Sequence, residues 1–170
     1  MATKLERTFD LPFGPEAVMN AMRDPAMIEK SERSRDALEV EVIERSKTDA
    51  LHEYVVRSVS HARTVKGIDR NKTEENRTTV RWDVPTHSAR WSWSGAHGNK
   101  VTVEGGYRLV AKGDGAQLTL DATIDVKIPV VGRVVEGKIK DGFESAWPGY
   151  VRLVGEHAAG QAQAAENADG

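Results

Sequence analysis

Residues 118–154 read LTLDATIDVKIPVVGRVVEGKIKDGFESAWPGYVRLV, and a change of period inside this stretch decides the fold. Leu118, Leu120, Ala122, Ile124 and Val126 alternate with Thr119, Asp121, Thr123, Asp125 and Lys127, the period-2 pattern of a strand with one dry and one wet face. Pro129 ends the alternation. From Val131 the apolar residues step by three or four through Val134, Val135, Ile139, Phe143, Ala146, Trp147, Tyr150, Val151 and Val154. That spacing predicts a helix of about 25 residues, starting near Gly132 and carrying one apolar stripe. Pro148 removes one backbone donor inside it and predicts a kink between Glu144 and Pro148.

Upstream, period-2 segments dominate. Leu5, Phe9 and Leu11 alternate with polar neighbours, and Arg7 interrupts their apolar face. Gly14-Pro15-Glu16 and Asp24-Pro25 each carry a cap followed by a proline, which predicts two short helices, to about Arg23 and about Arg33. Further strands are predicted around residues 38–42, 54–58, 79–84, 89–94 and 101–109, with a polar loop over about 61–75. The expectation is one domain over residues 1–159, followed by a frayed, disordered tail over 160–170, where small polar residues offer no apolar periodicity.

Composition closes several chemistries. With 39% hydrophobic and 29% charged residues, the 170-residue chain lies in the globular range. It has no cysteine, which excludes disulfides, thiol nucleophiles and cysteine-ligated metal or iron–sulfur sites. The five histidines, His52, His61, His87, His97 and His157, have no metal-binding spacing, so neither metal nor cofactor is expected. No serine stands in a nucleophile elbow, and Gly105-Gly106 lacks the context of a phosphate loop. A formal charge of −2 gives no reason to expect nucleic acid as partner. No apolar run is long enough to cross a membrane, and MATKLERTFD lacks the apolar middle of a signal peptide, which predicts a cytoplasmic protein with no integral membrane association.

The predicted order is one strand, two short helices, six antiparallel strands and a long C-terminal helix, and two motifs reinforce it. FDLPFGPEAVMNAMRDP resembles the opening strand and first helix of the START-like superfamily, also called SRPBCC, and VKIPVVGRVVEGKIKDGFESAW resembles the strand-to-helix junction of a bacterial family of unknown function within it. The resemblance covers residue 4 to about residue 157 and implies an α+β helix-grip fold: a curved seven-stranded antiparallel sheet wrapped around the long C-terminal helix. It also implies a cavity between sheet and helix, used across the superfamily for lipids, sterols, polyketides or other apolar ligands, and it transfers no catalytic residue.

On this frame, Trp82, Trp91 and Trp93 fall on successive strands and Trp147 on the long helix, so their rings are expected to converge as a pocket wall or as plain core packing. Tyr107, Ile139 and Phe143 join them as candidate ligand contacts. Arg7 shares a face with Leu5 and Phe9, where a guanidinium would hold a ligand carboxylate or phosphate, unless it snorkels to water or meets an internal carboxylate. Tyr54, with His52 and Ser58 on its face, would add polar groups to an apolar cavity. Arg57, Arg63, Lys66, Arg70 and Lys72 face only Asp69 across residues 57–72, a charge run that suits an acidic partner or lipid headgroup and equally a solvated loop. The leading expectation is a non-catalytic binder or carrier of a small apolar molecule. The alternatives are a polyketide cyclase or aromatase-like enzyme using Arg7, Tyr54 or His52, and an interaction module whose cavity has collapsed.

Overall fold

The computed structural model describes residues 2–169. Its strands are β1 (Thr3–Leu11), β2 (Glu39–Lys47), β3 (Leu51–Thr64), β4 (Gly67–Asp83), β5 (Ser88–Ser94), β6 (Val101–Lys112) and β7 (Gly115–Val126). Helices α1 (Pro15–Met22) and α2 (Pro25–Ser34) separate β1 from β2, and α3 (Gly132–Asp169) follows β7. The strands form one sheet in the order β1-β7-β6-β5-β4-β3-β2, each neighbour antiparallel. The sheet curves around α3, which contacts β7, β1, α1 and α2, in the helix-grip arrangement that the order of periods predicts.

The β7 alternation sets which face is dry. Leu118, Leu120 and Ile124 are completely buried and Ala122 nearly so, in one apolar cluster with Trp147, Val151, Val154 and Ala158 of α3. β1 pairs with β7 along its whole length, from Thr3 opposite Ile124 to Leu11 opposite Ala116. Val18, Met19 and Met22 of α1 and Met27 of α2 close the core at one end.

Two expectations change. Residues 61–75 do not form a loop: β3 and β4 continue through them as a long hairpin turning at Val65-Lys66. Apart from the buried Ala62, the residues of that hairpin are exposed or half-buried, so no apolar alternation marks it. The tail is not frayed over 160–169, where α3 runs on to Asp169 for a total of 38 residues; Gly170 lies outside the described residues. Ala, Gln and Glu dominate this stretch and are strong helix formers, so an existing helix propagates through them although every residue from Ala159 to Asp169 is exposed. α3 also continues through Pro148, whose missing N–H leaves the Glu144 carbonyl without its helical donor.

Asp24 fastens the helices together. Its Oδ1 caps α2 by accepting from the Ala26 N–H at 3.1 Å, while Oδ2 lies 2.8 Å from Nε2 of His157 and accepts from Gln161 at 3.0 Å, both on α3. Burial pushes its carboxyl up, but the hydrogen bonds from His157, Ala26 and Gln161 and the attraction of His157 outweigh it and hold the carboxyl below its ordinary value. Replacing Asp24 by Ala is expected to cost about 1–2 kcal/mol in denaturant unfolding, the scale of a lost cap. Because the folded carboxyl titrates below the unfolded one, its contribution is complete above about pH 4 and is lost as pH falls through the lower folded value. The stability gap between parent and variant should therefore be constant near neutrality and close in acid.

Candidate functional site

Register brings the large rings together. On β4 and β5, Val80 stands opposite Trp91 and Trp82 opposite Ala89; on β5 and β6, Trp91 stands opposite Gly105 and Ala89 opposite Tyr107. These residues share one face of the sheet, and there Trp91 and Tyr107 meet Phe143 and Tyr150 of α3. The Trp91 indole lies over Gly105, where a Cβ would come within 2.6 Å of Trp91 Cζ2 and would strike the Asp121 carbonyl oxygen. Glycine at this position is what permits the ring to sit flat against the sheet.

From there the rings connect to the helix. Trp91 is 6.4 Å from Tyr107 and 6.0 Å from Phe143, Phe143 is 5.6 Å from Trp147, and Tyr107 is 5.8 Å from Trp82 and 6.5 Å from Tyr150, each between ring centroids. These separations fall in the range of favourable aromatic pairs. Trp82 Nε1 donates to Tyr54 Oη at 3.2 Å, and the Tyr54 ring lies 5.0 Å from His52. All three tyrosines of the chain are thus in one cluster.

The polar atoms in this cluster are unevenly satisfied. Trp91 Nε1 and His52 Nδ1 are buried without a hydrogen-bond partner. Burial lowers the His52 pKa, helped by the positive charges of Arg23 and Lys47 and opposed by Glu44, whose Oε1 lies 3.4 Å from Nε2. The imidazole is therefore neutral at neutral pH. Burial raises all three phenols, Tyr107 to about 12 and Tyr54 and Tyr150 well above the ordinary value. They are hydrogen-bond donors rather than bases across the physiological range.

The site residues expected from sequence do not all meet. Trp91, Tyr107, Phe143 and Trp147 are joined ring to ring, and Tyr54 is reached through Trp82. Trp93 and Ile139 are partly buried against the same core. Arg7 does not enter the interior: its side chain is 52% exposed and Nη2 is 2.7 Å from Glu144 on α3. β1 is an edge strand, so a long side chain on its inner face escapes past the helix to water and finds a carboxylate there. Tyr150 is the participant not singled out as a site residue, although its place three residues after Trp147 on the apolar stripe marks it.

Two concavities flank the cluster. One of about 260 Å³ lies between α2 and α3 and is lined by Tyr150, the stacking partner of Tyr107, with Ser31, Arg35, Gly149 and Leu153. The other, of about 580 Å³, is lined by the charged residues Arg81, Asp83, Arg90, Arg108 and Asp121 and also by Trp82 and Tyr107 of the cluster. There Arg81 pairs with Glu53 at 3.3 Å and Arg90 with Asp121 at 3.7 Å, an ordinary exposed charge ladder. Neither is lined by Trp91, Phe143 or Trp147. Among the described residues no group of three or more histidine, aspartate or glutamate side chains is placed to hold a metal.

A family described as "Protein of unknown function (DUF2505)" matches residues 6–153. The chain belongs to that family. Solved structures share its helix-grip fold. A protein from Thermus thermophilus is 17% identical, with 95% of this chain and 99% of that one covered and a TM-score of 0.62. The Zhui aromatase/cyclase from Streptomyces is 13% identical over 96% and 94%, with a TM-score of 0.58. Norcoclaurine synthase from Thalictrum flavum, solved with dopamine and hydroxybenzaldehyde, is 14% identical over 92% and 88%, with a TM-score of 0.63. At these identities the likeness is one of fold. No curated protein matches the sequence.

Two outcomes test this geometry. Gly105→Ala should destabilise by about 1–3 kcal/mol, the scale of overpacking, and should shift the tryptophan emission as the Trp91 ring is displaced. In an alkaline titration the folded protein should develop little phenolate absorbance at pH values where free tyrosine ionises. Because the folded phenols titrate above the unfolded ones, stability is full below about pH 10 and is lost as pH rises toward about 12, so absorbance and unfolding should appear together.

Proposed function

We propose that this domain, residues 1–159, is a non-catalytic binder or carrier of a small apolar, ring-bearing molecule held between the inner face of the sheet and α3. The observation that carries the reading is the Trp91 indole N–H, buried among aromatic rings with no acceptor. A buried donor left unpaired costs stability, and a ligand oxygen presented to it recovers that cost. Around it, Tyr107, Phe143 and Trp147 offer ring faces, Tyr54 a phenol, and Trp93 and Ile139 further apolar surface. The concavity between α2 and α3, with Tyr150 in its wall, is the side from which we infer that a ligand approaches. That a fold of this kind holds dopamine and hydroxybenzaldehyde in norcoclaurine synthase supports the class of ligand. Among the described residues no helix is long and apolar enough to cross a membrane; a cytoplasmic location is part of the proposal.

A second reading has its own observation: neither concavity is lined by Trp91, Phe143 or Trp147, as in a domain whose cavity has closed and whose surface does the work. One variant separates the two. Trp91→Phe keeps an aromatic ring and removes the N–H. A carrier should bind an apolar fluorescent dye with micromolar affinity, and the variant should bind about threefold to tenfold more weakly, the value of one hydrogen bond. If the parent binds no dye, if nothing co-purifies in native mass spectrometry, and if Trp91→Phe is as stable as the parent or more so, the closed-cavity reading holds.

A further inference from the structure

One end of the molecule is apolar at its tip and cationic around it. The turn from β3 to β4 exposes Val65 and Ile68, at 49% and 52%. α3 begins beside it: Lys138 Nζ donates to the Val65 carbonyl, which sets the first turns of the helix against the hairpin turn. On that approach Val134 is 51% exposed, and Val130 is fully exposed with a φ of 71°. A β-branched residue rarely adopts the left-handed region, so Val130 is held in a disfavoured conformation while its side chain gains nothing from burial. Four branched apolar side chains thus point to solvent at one end.

The charge around them is as uneven. Residues 61–73 contain Arg63, Lys66, Arg70 and Lys72 against Asp69, and residues 127–140 contain Lys127, Arg133, Lys138 and Lys140 against Glu136, which is buried and bonded by Thr3. These two segments hold eight of the 24 cations and two of the 26 carboxylates, so the rest of the chain, with 16 and 24, is strongly negative. The formal charge of −2 conceals this polarity. Among the described residues Lys127 pairs with Asp125 at 3.6 Å, whereas Arg63, Lys66, Arg70, Lys72, Arg133, Lys138 and Lys140 make no ion pair. Elsewhere among the described residues nine of the 16 cations, Arg7, Arg33, Arg35, Arg57, Arg77, Arg81, Arg90, Lys112 and Arg152, are matched to carboxylates, against one of eight in these two segments.

We propose that this end docks on an anionic lipid surface, with Val65, Ile68, Val130 and Val134 entering the headgroup layer and the unmatched lysines and arginines meeting the lipid charge. Exposed apolar side chains ringed by free cations suit such a layer, which supplies hydrocarbon and negative charge at adjacent depths. A nucleic acid would use the cations and leave the four aliphatic side chains in water. The inference is independent of what the aromatic interior holds.

Co-sedimentation of the full chain with vesicles tests it. The protein should bind phosphatidylcholine vesicles containing phosphatidylglycerol and not those of phosphatidylcholine alone, and added salt should weaken the binding. Ile68→Ser with Val130→Ser, and separately Lys66→Gln with Arg70→Gln, should each reduce binding by about tenfold or more while the circular dichroism spectrum is unchanged. Ile68→Leu should bind like the parent. Equal binding to both vesicle types, or retention of parental binding by the double serine variant, would overturn the proposal. Binding to polyglutamate without binding to anionic vesicles would also overturn it, in favour of an acidic protein partner.

Discussion

The rest of the structure depends on the seam between β7 and α3. Leu118, Leu120 and Ile124 are completely removed from water in the cluster that contains Trp147, Val151 and Val154. Burying one such side chain contributes about 1.5–3 kcal/mol, whereas an exposed ion pair of the kind found across the outer face contributes about 0–1 kcal/mol. The seam therefore decides the position of the helix, and the surface charges adjust to it. β1 pairs with β7 and α1 packs on α3, so both depend on where that helix lies.

Laying one long helix across a curved sheet produces two unlike ends. At one, α1 and α2 cover the core, and Asp24 joins the start of α2 to the far part of α3 by hydrogen bonds to His157 and Gln161. At the other, Lys138 at the start of α3 donates a hydrogen bond to the Val65 carbonyl in the β3–β4 hairpin turn, with apolar side chains in water and cations unmatched. Between them lies the aromatic cluster, which takes rings from both sheet and helix and leaves the Trp91 N–H without a partner. The tight end supplies stability; the loose end and the cluster are where the chain leaves polar or apolar groups unsatisfied, as binding surfaces do.

The parts of this arrangement that were legible in sequence are those where burial is one-sided. The alternation on β7, the indoles two residues apart on β5 and the 3.6-residue stripe of α3 each record a dry face and a wet face. Where both faces are wet, the signal vanishes although the strand remains. Residues 61–75 are held by ladder hydrogen bonds between β3 and β4, which leave no trace in side-chain hydropathy. The last residues of α3 follow the same logic: helix propensity carries them beyond Ala158, the last buried position, and an amphipathic pattern cannot report them.

By itself, the sequence determined the order of elements, the dry face of each packed strand and the absence of cysteine chemistry, because these follow from residue identity and from periods of 2 and 3.6. Tertiary structure alone decided which rings touch, that Arg7 leaves the interior for Glu144, and that cations spread over two segments 54 to 79 positions apart share one end of the molecule with four exposed aliphatic side chains. The reason is physical: period states which way a side chain faces relative to its own backbone, whereas a site is made by neighbours distant in the chain, and only strand register and the lie of α3 bring those together.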